Sequence, residues 1–147
     1  IYMLDSFKVN RQKYYTDIVQ EIKSCSYRNK RYSLNFSIAI ALVSGQINLN
    51  SFSGYKRKSD KFIVLEDHLA CLILEGTDSD SAIRATSKLH NQFQLENFNK
   101  KIFIAVVTAS DYTDDNAMIH SLFNLLVYAA ENNMDNLVID KDQIPGK

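Results

Sequence analysis

The stretch from Asn35 to Val43, NFSIAIALV, constrains the fold more than any other part of the chain. On an extended backbone Phe36, Ile38, Ile40 and Leu42 share one face, while Ala39, Ala41 and Val43 take the other. A strand that is apolar on both faces is not suited to a surface. It is expected at the centre of a sheet with helices over both sides. The same run is far too short to span a bilayer, which needs roughly 20 apolar residues, and no secretory leader is visible, so no direct membrane insertion is expected. A cytoplasmic location follows as the expectation, alone or as the cytosolic part of a membrane-tethered protein.

At 147 residues and 46% hydrophobic, the chain is the size of one domain with a real core. Its 17 basic and 17 acidic residues cancel, so no global field would draw it to nucleic acid, which is not an expected partner. Cys25 and Cys71 make no metal-ligand pattern and read as free buried thiols. The chain opens on Ile1 and closes on Pro145-Gly146-Lys147. It is expected to be a single domain, 1–147, excised from a longer multidomain protein.

The remaining periodicity alternates. Tyr15, Ile18, Val19 and Ile22 predict an amphipathic helix from about Asn10 to Arg28. Ser44 to Ser59, with its Gly, Asn and Ser and the basic run Lys56-Arg57-Lys58, reads as an irregular connection. Phe62–Leu65 and Leu69–Leu74 predict a hairpin around Glu66-Asp67-His68. Ser79 is the expected cap of a helix carrying Ala82, Thr86, Leu89 and Phe93. A strand from Ile102 to Thr108 follows, then a helix with Asp114 and Asp115 in its first turn and a Met118, Leu122, Leu125, Ala129 stripe. Asn132-Asn133 ends that helix and Leu137-Val138-Ile139 closes the chain's last strand. The expected class is α/β (α+β), a sheet of about five strands covered by helices.

Four places in this order resemble the GGDEF domains of diguanylate cyclases. Asp5 followed by Asn10-Arg11 is similar to the opening signature in which an Asp precedes Asn-Arg, with a shorter spacing. LVYAAENNMDN, Leu126 to Asn136, resembles the closing Ala-Leu-Tyr-x-Ala-Lys helix and its Gly-Arg-Asn exit, with Tyr128, Ala130 and Asn136 matching. Arg57-Lys58-Ser59-Asp60 matches an Arg-x-x-Asp motif that lies just before the hairpin, and the hairpin turn itself is the fourth. The resemblance implies a nucleotide-cyclase-like fold, and a family that condenses two GTP molecules into cyclic di-GMP.

The family's turn is Gly-Gly-Asp/Glu-Glu-Phe. Here it is Leu65-Glu66-Asp67-His68-Leu69, or one residue later, and in either register both glycines and the second acid are gone. Two-metal phosphoryl transfer also needs carboxylates at the end of the central strand, yet no Asp or Glu stands between Glu21 and Asp60. The connection after that strand is shortened relative to the family's two helices. Glu131 and Asp135 stand where the family has a Lys and an Arg for phosphate.

A catalytically inactive, degenerate GGDEF-like regulatory domain is therefore expected, with no metal and no cofactor. It would relay signals beside a sensor or phosphodiesterase domain through its first helix, carrying Tyr14, Tyr15, Ile18 and Ile22, or form a homodimer. An alternative is a cyclic di-GMP receptor. In the family's inhibitory site the Arg grips guanine and phosphate while the Asp accepts from the guanine edge, which makes Arg57 and Asp60 the candidate ligands, with Lys56 and Lys58 beside them. A third reading is residual GTP binding or hydrolysis using Asp67 and His68, set against the expectation that neighbours at a hairpin tip face opposite ways. His90 and His120 read as surface residues, and Glu131 to Asn136 as a helix exit without calcium-loop spacing.

Overall fold

A computed structural model describes residues 2–45, 60–97 and 99–143. The chain begins with two helices, α1 (Tyr2–Val9) and α2 (Arg11–Tyr32). Then come β1 (Phe36–Val43), the hairpin β2 (Lys61–Glu66) and β3 (Leu69–Glu75), α3 (Ser79–Glu96), β4 (Ile102–Thr108), α4 (Asp115–Glu131) and the short β5 (Val138–Ile139). The five strands form one sheet in the order β2-β3-β1-β4-β5. All neighbours are antiparallel except β4 and β5, which are parallel and joined by α4 as crossover.

The central position of β1 follows from its two apolar faces. Phe36, Ile38, Ile40 and Leu42 pack into the larger core with α1, α2 and α4. Ala39 and Val43 enter a second core under α3, with Ala41 packed against it. β3 and β4 are buried along nearly their whole length for the same reason, whereas β2, at the sheet's edge, is only partly covered. No helix among the described residues is long and apolar enough to cross a membrane.

Three local expectations are corrected. The helix expected over Asn10 to Arg28 runs on to Tyr32 and is preceded by the separate helix α1, the two parting at Asn10. α3 is capped by Asp78, whose carboxylate accepts from the Ser81 amide at 2.8 Å, and Ser79 is the helix's first residue. His90 is buried, not on the surface, and its Nε2 donates to the Asp135 carbonyl at 2.6 Å, holding α3 to the chain before β5. His120 is exposed as expected, its ring stacked on Tyr15.

Candidate functional site

One end of the sheet gathers the residues of the signature turn. A two-residue turn, Asp67-His68, joins β2 to β3 with Glu66 paired to Leu69, and the ladder is irregular between Val64 and Glu66. The turn lies against the end of β1, where the Val43 amide donates to the His68 carbonyl at 2.9 Å. The chain leaves β1 through Ser44, which exchanges two hydrogen bonds with Lys101: Ser44 N to Lys101 O and Lys101 N to Ser44 Oγ, both 2.9 Å. The Lys101 ammonium donates to Asn133 at 2.7 Å, and the Lys100 ammonium lies 3.1 Å from where a Cβ on Gly45 would stand. Two lysines, Lys100 and Lys101, therefore lie at the end of β1.

The acids at this end are already engaged. The Glu66 carboxylate accepts from the buried Tyr14 hydroxyl at 2.9 Å and faces Lys13 at 3.7 Å. Burial first, then the bond to Glu66 and its charge, push the Tyr14 phenol up from its ordinary pKa. Glu131, on α4, is paired with Lys8 of α1 at 2.9 Å. Asp67 is exposed and accepts from His68 Nδ1 at 2.9 Å, so these neighbours meet instead of facing apart. That bond makes Nδ1 the donor, and Nε2 is buried and without a partner among the described residues. Among the described residues no group of three or more His, Cys, Asp or Glu side chains could hold a metal ion. The donor set at this end, with Ser44 and Gly45 after β1 and Glu66 bound by α2, does not fit a Mg²⁺ pair.

The remaining candidates lie elsewhere. Asp60 precedes β2 directly, so the whole strand, roughly 20 Å at ~3.3 Å per residue, separates it from the turn. Its side chain is 4% exposed and already engaged. Lys56, Arg57 and Lys58 lie outside the described residues. Asn10 and Arg11 are structural: the Asn10 amide donates to the Ser6 carbonyl, and Arg11 reaches α4, donating to Asn124 at 2.9 Å over the Phe123 ring. The sequence reading missed the aromatic link beneath the turn, in which Phe7 stacks on Tyr14 at 5.7 Å and meets Phe123 edge-on at 5.2 Å. The spacing Phe7, Tyr14, Ile18, Ile22 could have shown it had α1 been recognised as a helix.

No protein-family model and no curated protein sequence matches the chain. Solved structures do match. A microbial GGDEF domain described in its interaction with cyclic di-GMP superimposes with a TM-score of 0.71 at 10% identity, over 86% of this chain and 92% of that one. The GGDEF domain of YfiN (TpbB) from Pseudomonas aeruginosa gives 0.70 at 10% identity, over 85% and 93%. The active GGEEF domain of a diguanylate cyclase from Vibrio cholerae gives 0.67 at 12% identity, over 88% and 97%.

Proposed function

We propose, from the premise that this chain has the fold of GGDEF domains, that it is a catalytically inactive regulatory domain of cyclic di-GMP signalling. One observation carries this reading: the Glu66 carboxylate of the signature turn is held by Tyr14 and Lys13 of α2. It is a structural acceptor and not a free metal ligand. Two features support it. The end of β1 offers a hydroxyl and lysines where two-metal phosphoryl transfer would need carboxylates. Glu131, where the resemblance implies a phosphate-binding lysine, is tied to Lys8, so that position supplies no cation for a triphosphate.

The same contacts give the turn a regulatory use. Phe7 of α1 stacks on Tyr14 of α2, and Tyr14 holds Glu66, so a displacement of α1 changes the support of the turn through two direct contacts. An adjacent sensor or phosphodiesterase domain acting on α1 would be read out there. Phe7→Ala is expected to raise amide hydrogen exchange at Asp67 to Leu69 while leaving β4 unchanged. Unchanged exchange at the turn would sink the relay.

A second reading is a cyclic di-GMP receptor using Arg57 and Asp60 with Lys56 and Lys58; Asp60 stands at the far end of β2 from the turn, and, being buried and engaged, it would have to give up its present contact to meet a ligand. Loss of the catalytic turn leaves that end untouched. Calorimetric titration with cyclic di-GMP, repeated on Arg57→Ala, tests it: binding lost in the variant supports the receptor, and no heat with the wild type removes it.

A further inference from the structure

The last turns of α2 carry a surface that none of the above uses. Lys23, Tyr27, Lys30 and Arg31 fall at i−4, i, i+3 and i+4 on one helix face, and all four are exposed. Tyr27 meets Tyr32 edge-on at 6.5 Å, and the Arg31 guanidinium lies 5.7 Å from the centre of the Tyr32 ring while its Nε donates to the Tyr32 hydroxyl. After α2 a left-handed Ser33, φ 58°, turns the chain and presents Leu34. Tyr27, Tyr32 and Leu34 are 53%, 60% and 51% exposed. Leu34 borders a cleft of about 330 Å³ that is also lined by Cys25, Arg28, Phe36 and Glu75.

The last turns of α2 carry basic side chains and no acid, while nearby carboxylates are engaged, Asp115 accepting from the Ser26 hydroxyl at 2.9 Å. The carboxylate in the cleft, Glu75, is paired with Arg28 and accepts from the Cys25 thiol. Lys23, Lys30 and Arg31 have no carboxylate partner among the described residues. From Ile22 to its end α2 carries Lys23, Arg28, Lys30 and Arg31 and no acid, so a neutral protein is locally basic along this helix end. Single exposed apolar residues are ordinary, but three large ones set among cations without a carboxylate partner among the described residues, beside a cleft with Leu34 and Phe36 in its wall, have the tyrosine and arginine composition of binding hot spots.

We propose that this end of α2 is a docking surface for an acidic protein segment. Carboxylates of the partner face Lys23, Lys30 and Arg31, and an apolar side chain of the partner enters the cleft beside Leu34. Single-stranded nucleic acid would match the charge, but it binds by stacking bases on open aromatic faces. Here the face of Tyr32 is covered by Arg31 and Tyr27 is turned against Tyr32, which favours the peptide.

The test is fluorescence anisotropy with a short labelled peptide of glutamates interrupted by a phenylalanine and a leucine. Its lysine counterpart and oligothymidylate serve as comparisons. The acidic peptide is expected to bind and to weaken as salt rises. Binding should fall about tenfold or more in a Lys30→Glu, Arg31→Glu double variant and again in Leu34→Ser. These are exposed positions, and circular dichroism confirms that each variant is folded. No binding of the acidic peptide, equal binding by the folded variants, or tighter binding of oligothymidylate would each overturn the proposal. The result is independent of the relay and of any nucleotide site, since neither uses these side chains.

Discussion

The Tyr14 hydroxyl reaches Glu66 from inside the core, and its ring is fully buried. Removing it by Tyr14→Phe leaves the ring packing intact and takes one donor from a carboxylate that is 34% exposed and can recover water. The expected loss is about 1 kcal/mol in urea unfolding, and no loss would mean that Lys13 and solvent suffice. The two thiols make a pH prediction. Burial, then the bond to Glu75, pushes Cys25 up to about 11, and burial pushes Cys71 up to about 12. The folded chain thus keeps thiol protons that the unfolded chain releases. This contribution to stability is full below about pH 9 and is lost as pH rises through the folded values. Denaturant midpoints of the wild type and a Cys71→Ala variant, measured across that range, should converge as pH rises. Parallel curves would contradict the assignment. At the same scale the sequence misled at His90, because a polar residue type hid a position that lies between Thr86 and Phe93 on the buried face of α3.

At the scale of elements, legibility followed burial. β1 and β4 were readable to within a residue because both of their faces are covered and nearly every side chain is apolar. α4 was readable because its stripe is broad; Met118, Leu122, Leu125 and Ala129 are all buried. Leu122→Ala, on that stripe, is expected to cost about 2–5 kcal/mol, measured by the same urea transition. By contrast α1 was not legible. It is eight residues long, about two turns, too short to show a helical repeat, so the expected helix began only at Asn10. The contact between Asp67 and His68 was missed because period-two alternation describes strands, and these residues form the turn. The pair Lys8–Glu131, which ties α1 to α4, is exposed; Glu131→Ala should cost under about 1 kcal/mol. A larger loss would show that α1 is held chiefly by charge and not by Leu4 and Phe7.

Across the whole molecule, β2 keeps two questions apart. The hairpin turn stands at one end of the strand and Asp60 at the other, so the proposed loss of catalysis and the proposed dinucleotide site concern opposite ends of β2 and can be tested separately. The candidate site was legible as a set of departures, namely the acid-free end of β1, the turn without glycines, and Glu131. What Glu66 does instead was not legible, because its partner Tyr14 is 52 residues away in sequence. The central claim is that this fold no longer performs the family's chemistry. The most direct test incubates the purified chain with GTP and Mg²⁺ and follows cyclic di-GMP by mass spectrometry, with an active diguanylate cyclase domain run in parallel. The account predicts that GTP is recovered intact; sustained formation of cyclic di-GMP would contradict it.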